Sequence, residues 1–109
     1  MAVKTSEFLK RAKSLIDSPE KWTQGVCARN IDGKEVSVHS PSAVCFCSEG
    51  AIHAATNQFN IKQRANKYAM LQSAVGSNLE VFEYNDSHTH AEVMLAWDKA
   101  ISLAESEGD

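Results

Sequence analysis

Phe8, Leu9, Ala12, Leu15 and Ile16 fall at i, i+1, i+4, i+7 and i+8, with Lys10, Arg11, Lys13 and Ser14 between them. That spacing draws one apolar stripe and predicts a helix over residues 6–17, with Thr5 or Ser6 able to cap its start. Ser18-Pro19-Glu20 reads as a fresh N-cap with proline at N1, opening a short turn that delivers Trp22. The period then changes. Val26, Ala28 and Ile31 precede Asp32-Gly33, and Val36 and Val38 follow it. Asp-Gly favours a two-residue type I′ turn, so residues 25–39 predict a β-hairpin. An isolated hairpin is marginal in water and must pack on helices.

Ser40-Pro41 repeats the cap-and-proline signature and predicts a helix over residues 40–55, ended by Thr56-Asn57-Gln58. Ala43, Val44, Cys47, Ala51, Ala54 and Ala55 share one face of it, and Phe46, Gly50 and His53 form a neighbouring stripe. Mid-helix glycine costs about 1 kcal/mol against alanine, so Gly50 calls for a close neighbour such as Trp22 or Trp97. Asn60 can cap a third helix over residues 61–75, with Ile61, Ala65, Tyr68, Ala69, Gln72 and Val75 inward and Gly76 at C′. Leu79 and Val81 alternate with Glu80 and Phe82, which predicts a short extended piece over residues 79–84. Thr89-His90-Ala91-Glu92 is a capping box. Behind it Val93, Ala96, Trp97, Ala100, Ile101 and Ala104 give the strongest helical period in the chain. The expected fold is mainly α: about four helices packed with one small β-hairpin, as a single domain over residues 1–109.

Composition narrows the function classes. The 109 residues are 43% hydrophobic and 23% charged, ordinary for one globular domain able to bury its own core. A net charge of -3 argues against general nucleic-acid or anionic-membrane binding. No apolar run approaches the roughly 18–20 residues that span a bilayer, and the first residues lack the apolar core of a secretory leader. Three cysteines, an odd count without a framework, suit free thiols in a reducing compartment. A cytoplasmic setting follows. The acidic tail from Glu105 to Asp109 is expected to fray.

The richest polar run is Tyr84-Asn85-Asp86-Ser87-His88-Thr89-His90, leading into the last helix. A helix N-terminus favours anions, so an external phosphate or carboxylate could bind there; equally, Asn85, Asp86 and Thr89 are residue types that cap helices and order loops. Trp22 and Trp97 could stack on a flat ligand; Trp97 lies on an apolar face and suits the core, which leaves Trp22 as the better candidate. Lys62, Arg64 and Lys67 could attract an anion or form a solvated face. His88-x-His90 invites a metal reading, but Cys45 and Cys47, two apart on a helix, would not face one site, so no metal and no cofactor is expected. Cys47 with His88 as base and Asp86 to orient it would make a nucleophilic set. That chemistry needs a low-pKa thiolate, and a cysteine well inside a helix gains little from the helix N-terminus. Buried cysteine as a small hydrophobe is the commoner case.

Trp22, the Gly33 hairpin, Pro41-x-Ala43-x-x-x-Cys47-x-x-Gly50-Ala51, Asn85-Asp86 and a last helix with Ala100-Ile101 occur in that order. From about Phe8 to Ala104 the chain resembles a family of small uncharacterised bacterial and phage proteins, a domain of unknown function. An aromatic residue, often tryptophan, precedes Asn-Asp in such proteins, and here Tyr84 departs from that pattern. The resemblance implies that Trp22, Cys47, Gly50, Asn85 and Asp86 belong to one shared feature, and it implies a bacterial or phage setting. The expected function is a non-enzymatic binding module that recognises a host protein or a small anionic ligand such as a nucleotide through Trp22, Tyr84, Asn85, Asp86 and His88. The alternatives are a small cysteine-dependent hydrolase using Cys47, His88 and Asp86, and a structural or assembly protein. Helix faces of small residues also allow a homo-oligomer.

Overall fold

The computed structural model describes residues 4–58, 64–76 and 79–109. In chain order these form α1 (Thr5–Lys13), a 3-10 turn (Pro19–Lys21), β1 (Ala28–Arg29), β2 (Cys45–Phe46), α2 (Ser48–Gln58), α3 (Arg64–Val75), α4 (Val81–Ser87) and α5 (His90–Ser106). The architecture is mainly α with a minor antiparallel pair, as the periodicity predicts. α5 runs along α1 and α3, and α1 also meets α2. Trp97 on α5 is fully buried among Phe8, Leu9, Ile16, Ile52, Leu71, Val81 and Val93. None of the helices among the described residues is long and apolar enough to cross a membrane.

The first stripe turns inward as expected, with Phe8, Leu9, Ala12 and Ile16 buried and Leu15 partly so. The helix itself closes early. Leu15 and Ile16 donate to the carbonyls of Ala12 and Lys13, three residues back, and so tighten the last turn instead of extending it to residue 17. Lys4 is the N-cap, without a side-chain bond, so neither Thr5 nor Ser6 caps the start. Asp109 does that work: its carboxylate accepts the Thr5 N–H at 3.1 Å and its carbonyl accepts the Ser6 N–H at 2.8 Å. A carboxylate suits the positive end of α1, and it anchors the end of the tail expected to fray.

The segment over residues 40–55 is not one helix. Ser40-Pro41 closes a turn, in which the Ala43 N–H donates to the Ser40 carbonyl at 3.1 Å. Val44 is β-branched and Phe46 aromatic, and both favour extended backbone; Cys45 and Phe46 form β2, opposite Arg29 and Ala28. Helix begins only at Ser48. The reversal at Asp32-Gly33 is present, with Gly33 at φ 80° and its N–H on the Asn30 carbonyl at 2.9 Å. The arm after it makes only a bridge between Arg29 and Glu35, on the edge of β1 opposite the one paired with β2. Residues 79–84 are also not extended. Val81 and Asn85, four apart, are both buried on α4, and Gln72 of α3 accepts the Val81 N–H at 3.1 Å. Leu79 precedes the helix, and the next buried position after Val81 is the polar Asn85, so the helical spacing was masked. Gly76, at φ 102°, follows α3 as a C′ residue. The expected start of that helix at Asn60 and Ile61, its inner face at Ala65, Tyr68 and Ala69, and the Lys62, Arg64 and Lys67 face lie outside the residues whose side chains are described.

Candidate functional site

Asn85 sits in α4 with no exposed surface, and every polar atom of its amide is engaged. Its Oδ1 accepts from Trp22 Nε1 at 2.7 Å, from the Ser48 N–H at 3.0 Å and from Ser48 Oγ at 2.9 Å. Its Nδ2 donates to the Thr23 carbonyl at 3.0 Å and to Asp86 Oδ1 at 3.2 Å. Ser48 Oγ in turn accepts from Trp97 Nε1 at 3.0 Å. One side chain therefore ties α4 to the loop after the 3-10 turn, to the first turn of α2 and, through Ser48, to the core tryptophan. Such a buried network is stable only when fully satisfied, and this one is. Gln24 adds a clasp, with Nε2 on the carbonyls of Asn85 and His88 at 3.0 and 3.1 Å.

An open recess of about 130 Å³ lies beside this node, lined by Gly25, Val26, Cys27, Cys47, Phe82 and Asp86. Asp86 Oδ1 accepts the Gly25 N–H at 3.0 Å and so fixes one rim to α4. Cys47 immediately precedes α2, where its Sγ accepts the Gly50 N–H at 3.2 Å in the manner of an N-cap. Cys47 therefore stands at the N-terminus of a helix and not well inside one. Burial outweighs that hydrogen bond and pushes its thiol up to about 12. Burial also pushes the Cys27 thiol up; the neighbouring Cys47 thiol opposes the shift, and the negative charges of Glu49, Glu35 and Asp86 add to it. Gly50 has its reason here. A Cβ on it would lie 2.1 Å from the Cys27 carbonyl oxygen, so the close neighbour is β1's leading backbone and neither tryptophan.

The predicted site residues divide into two groups. Trp22, Asn85 and Asp86 come together, Cys47 lines the recess with Asp86, and Gly50 packs on the Cys27 backbone, but Trp22 Nε1 and the whole Asn85 amide face the protein. Tyr84 and His88 stack on each other at 3.7 Å between ring centres, with His88 Nδ1 against the Tyr84 carbonyl and Ser87 Oγ at 2.9 and 3.0 Å. No hydrogen bond joins His88 to Cys47 or Asp86 among the described residues. His90 turns away to the Ile16 carbonyl at 2.7 Å. The α5 N-terminus is occupied by its own capping box. Thr89 Oγ1 accepts the Glu92 N–H at 3.2 Å, and the Glu92 carboxylate accepts the Thr89 N–H at 2.9 Å. That hydrogen bond holds the Glu92 carboxyl below its ordinary value of 4.5. Ser48, Gln24 and Cys27 complete the arrangement and escaped the sequence reading. Ser48-Glu49 is the overlooked signal, since a serine followed by an acidic residue suits a helix start.

No curated protein and no solved structure matches the chain. Residues 1–103 match the sequence model of the family of unknown function DUF6197, so the chain that carries this node and recess belongs to that family.

Proposed function

We propose that the protein is a non-enzymatic binding module for another protein, and that one basic side chain of the partner enters the recess beside Asn85. The carrying observation is the recess itself. Val26 and Phe82 give it an apolar side, Phe82 being 48% exposed, and the Asp86 carboxylate gives it an anionic rim. Only Oδ1 of that carboxylate receives donors from the described residues. A lysine or arginine pairs an aliphatic stem with a cationic head and matches both sides. Size favours the same reading: about 130 Å³ holds one side chain, whereas small-molecule pockets run from roughly 300 Å³ upward. Charge favours it too. Asp86, Glu49 and Glu35 all act on Cys27, while Arg29 commits its guanidinium to Thr23, Gln24 and Gly33. A nucleotide phosphate would enter a negative field. In a phage or prophage setting the partner would be a host protein.

A random-peptide display selection against the full chain tests this. Enriched peptides should carry Lys or Arg beside an apolar residue and lose binding to Phe82→Ala and Asp86→Asn. ATP and GTP should leave the melting temperature unchanged. Enrichment of acidic peptides, no enrichment, or a nucleotide-dependent rise in melting temperature would overturn the proposal.

A further inference from the structure

We propose that Cys27 and Cys47 form a reversible oxidation site that closes into an intramolecular disulfide when the protein meets a hydroperoxide. The strand register carries the idea. Ala28 lies opposite Phe46 and Arg29 opposite Cys45, so one further step sets Cys27 opposite Cys47. The Cys47 N–H donates to the Cys27 carbonyl at 3.1 Å, which confirms that the pairing continues. Directly opposed antiparallel residues have Cα atoms about 4.5–5.5 Å apart, inside the roughly 4.4–6.8 Å range that disulfides span. Opposed side chains leave the same face, and both cysteines line the one recess. Both are free cysteines. Gly50 enforces the approach, because any Cβ there would drive the Cys27 backbone away from the start of α2. Cys45 shares that face but is excluded by register: it stands opposite Arg29, diagonal to Cys27 and beyond disulfide reach, with its Sγ 3.9 Å from the Arg29 carbonyl.

The reaction balances with the peroxide as the only oxidant. The partly exposed Cys27, as thiolate, attacks one peroxide oxygen; the O–O bond breaks, and sulfenic acid and water form. Cys47 sulfur then attacks the Cys27 sulfur, the S–O bond breaks, and a second water leaves with the Cys47 proton. Two thiols lose two electrons in total and one hydrogen peroxide gains them. A dithiol reverses the change by exchange. Because thiolate is the reacting form, the rate should rise steeply with pH.

The test is intact-mass and non-reduced tryptic mapping of the full chain after hydrogen peroxide treatment. Each chain should lose two hydrogen atoms, link the Cys27 peptide to the peptide holding Cys45 and Cys47, and return to its starting mass with dithiothreitol. The Cys45→Ala variant should still link, and its link fixes the partner as Cys47 even if Cys47→Ala does not fold. Loss of the link in Cys45→Ala, or oxygen adducts without a link in the native chain, overturns the proposal.

Discussion

Replacing Asn85 with alanine removes an acceptor of three hydrogen bonds and a donor of two from the interior. Trp22 is half-buried and its indole N–H can find water, so its loss is the smaller part. Ser48 is buried, and both its N–H and hydroxyl would be stranded. Stranding a buried polar group costs about 1–3 kcal/mol, so two such groups together with the small void predict a loss of about 3–5 kcal/mol. A domain of this size holds about 5–15 kcal/mol in all. One kcal/mol moves the melting temperature of a 60–100-residue domain by about 4–8 °C, so a drop of more than 10 °C is expected. Urea unfolding of Asn85→Ala, Trp22→Phe and the double variant measures it. The Trp22→Phe cost should shrink by about 1 kcal/mol when Asn85 is already gone. A cost below about 1 kcal/mol for Asn85→Ala, or additivity of the two within about 0.5 kcal/mol, would refute the node.

Two further outcomes follow from the start of α2. Gly50→Ala should destabilise by several kcal/mol, because the clashing atom is backbone; ordinary helix propensity predicts a gain of about 1 kcal/mol, so the sign of the change in thermal unfolding decides. The raised Cys47 thiol favours the folded state while both states are protonated. That contribution is full below the ordinary thiol value of 9.0 and drains as pH rises towards about 12. The urea midpoint should therefore fall between pH 8 and pH 10.5, more in the native chain than in Cys47→Ala; equal falls would show that Cys47 contributes nothing.

The helices that bury one apolar stripe were legible in the sequence, because a single periodicity describes them. Thr89-x-x-Glu92 and the Ala–Trp face behind it became α5 with its capping box intact. Residues 40–55 misled because proline after serine marks a turn as well as a helix start, and because small residues at helical spacing say little about two residues that pair with a distant strand. Strand pairing between Ala28 and Phe46 is non-local, and no window of sequence contains it. Residues 79–84 misled for a different reason: the buried residue four beyond Val81 is an asparagine, and burial of Asn85 depends on partners contributed by Trp22, Thr23 and Ser48. The grouping of Trp22, Cys47, Gly50, Asn85 and Asp86 came from the family resemblance and not from any spacing in the sequence. Its polarity was not legible, since which atoms face inward is set by hydrogen bonds between segments 37 to 63 residues apart.

The most direct measurement is a 15N–1H titration of the full chain with a basic peptide selected against it. Backbone signals of Gly25, Val26, Cys27, Phe82 and Asp86 should shift together, while the Trp22 indole and the Asn85 side-chain amide keep their positions and slow exchange. If those two signals move or exchange faster on binding while the recess signals stay still, the ligand enters the polar node itself, and the division between a closed node and an open recess is wrong.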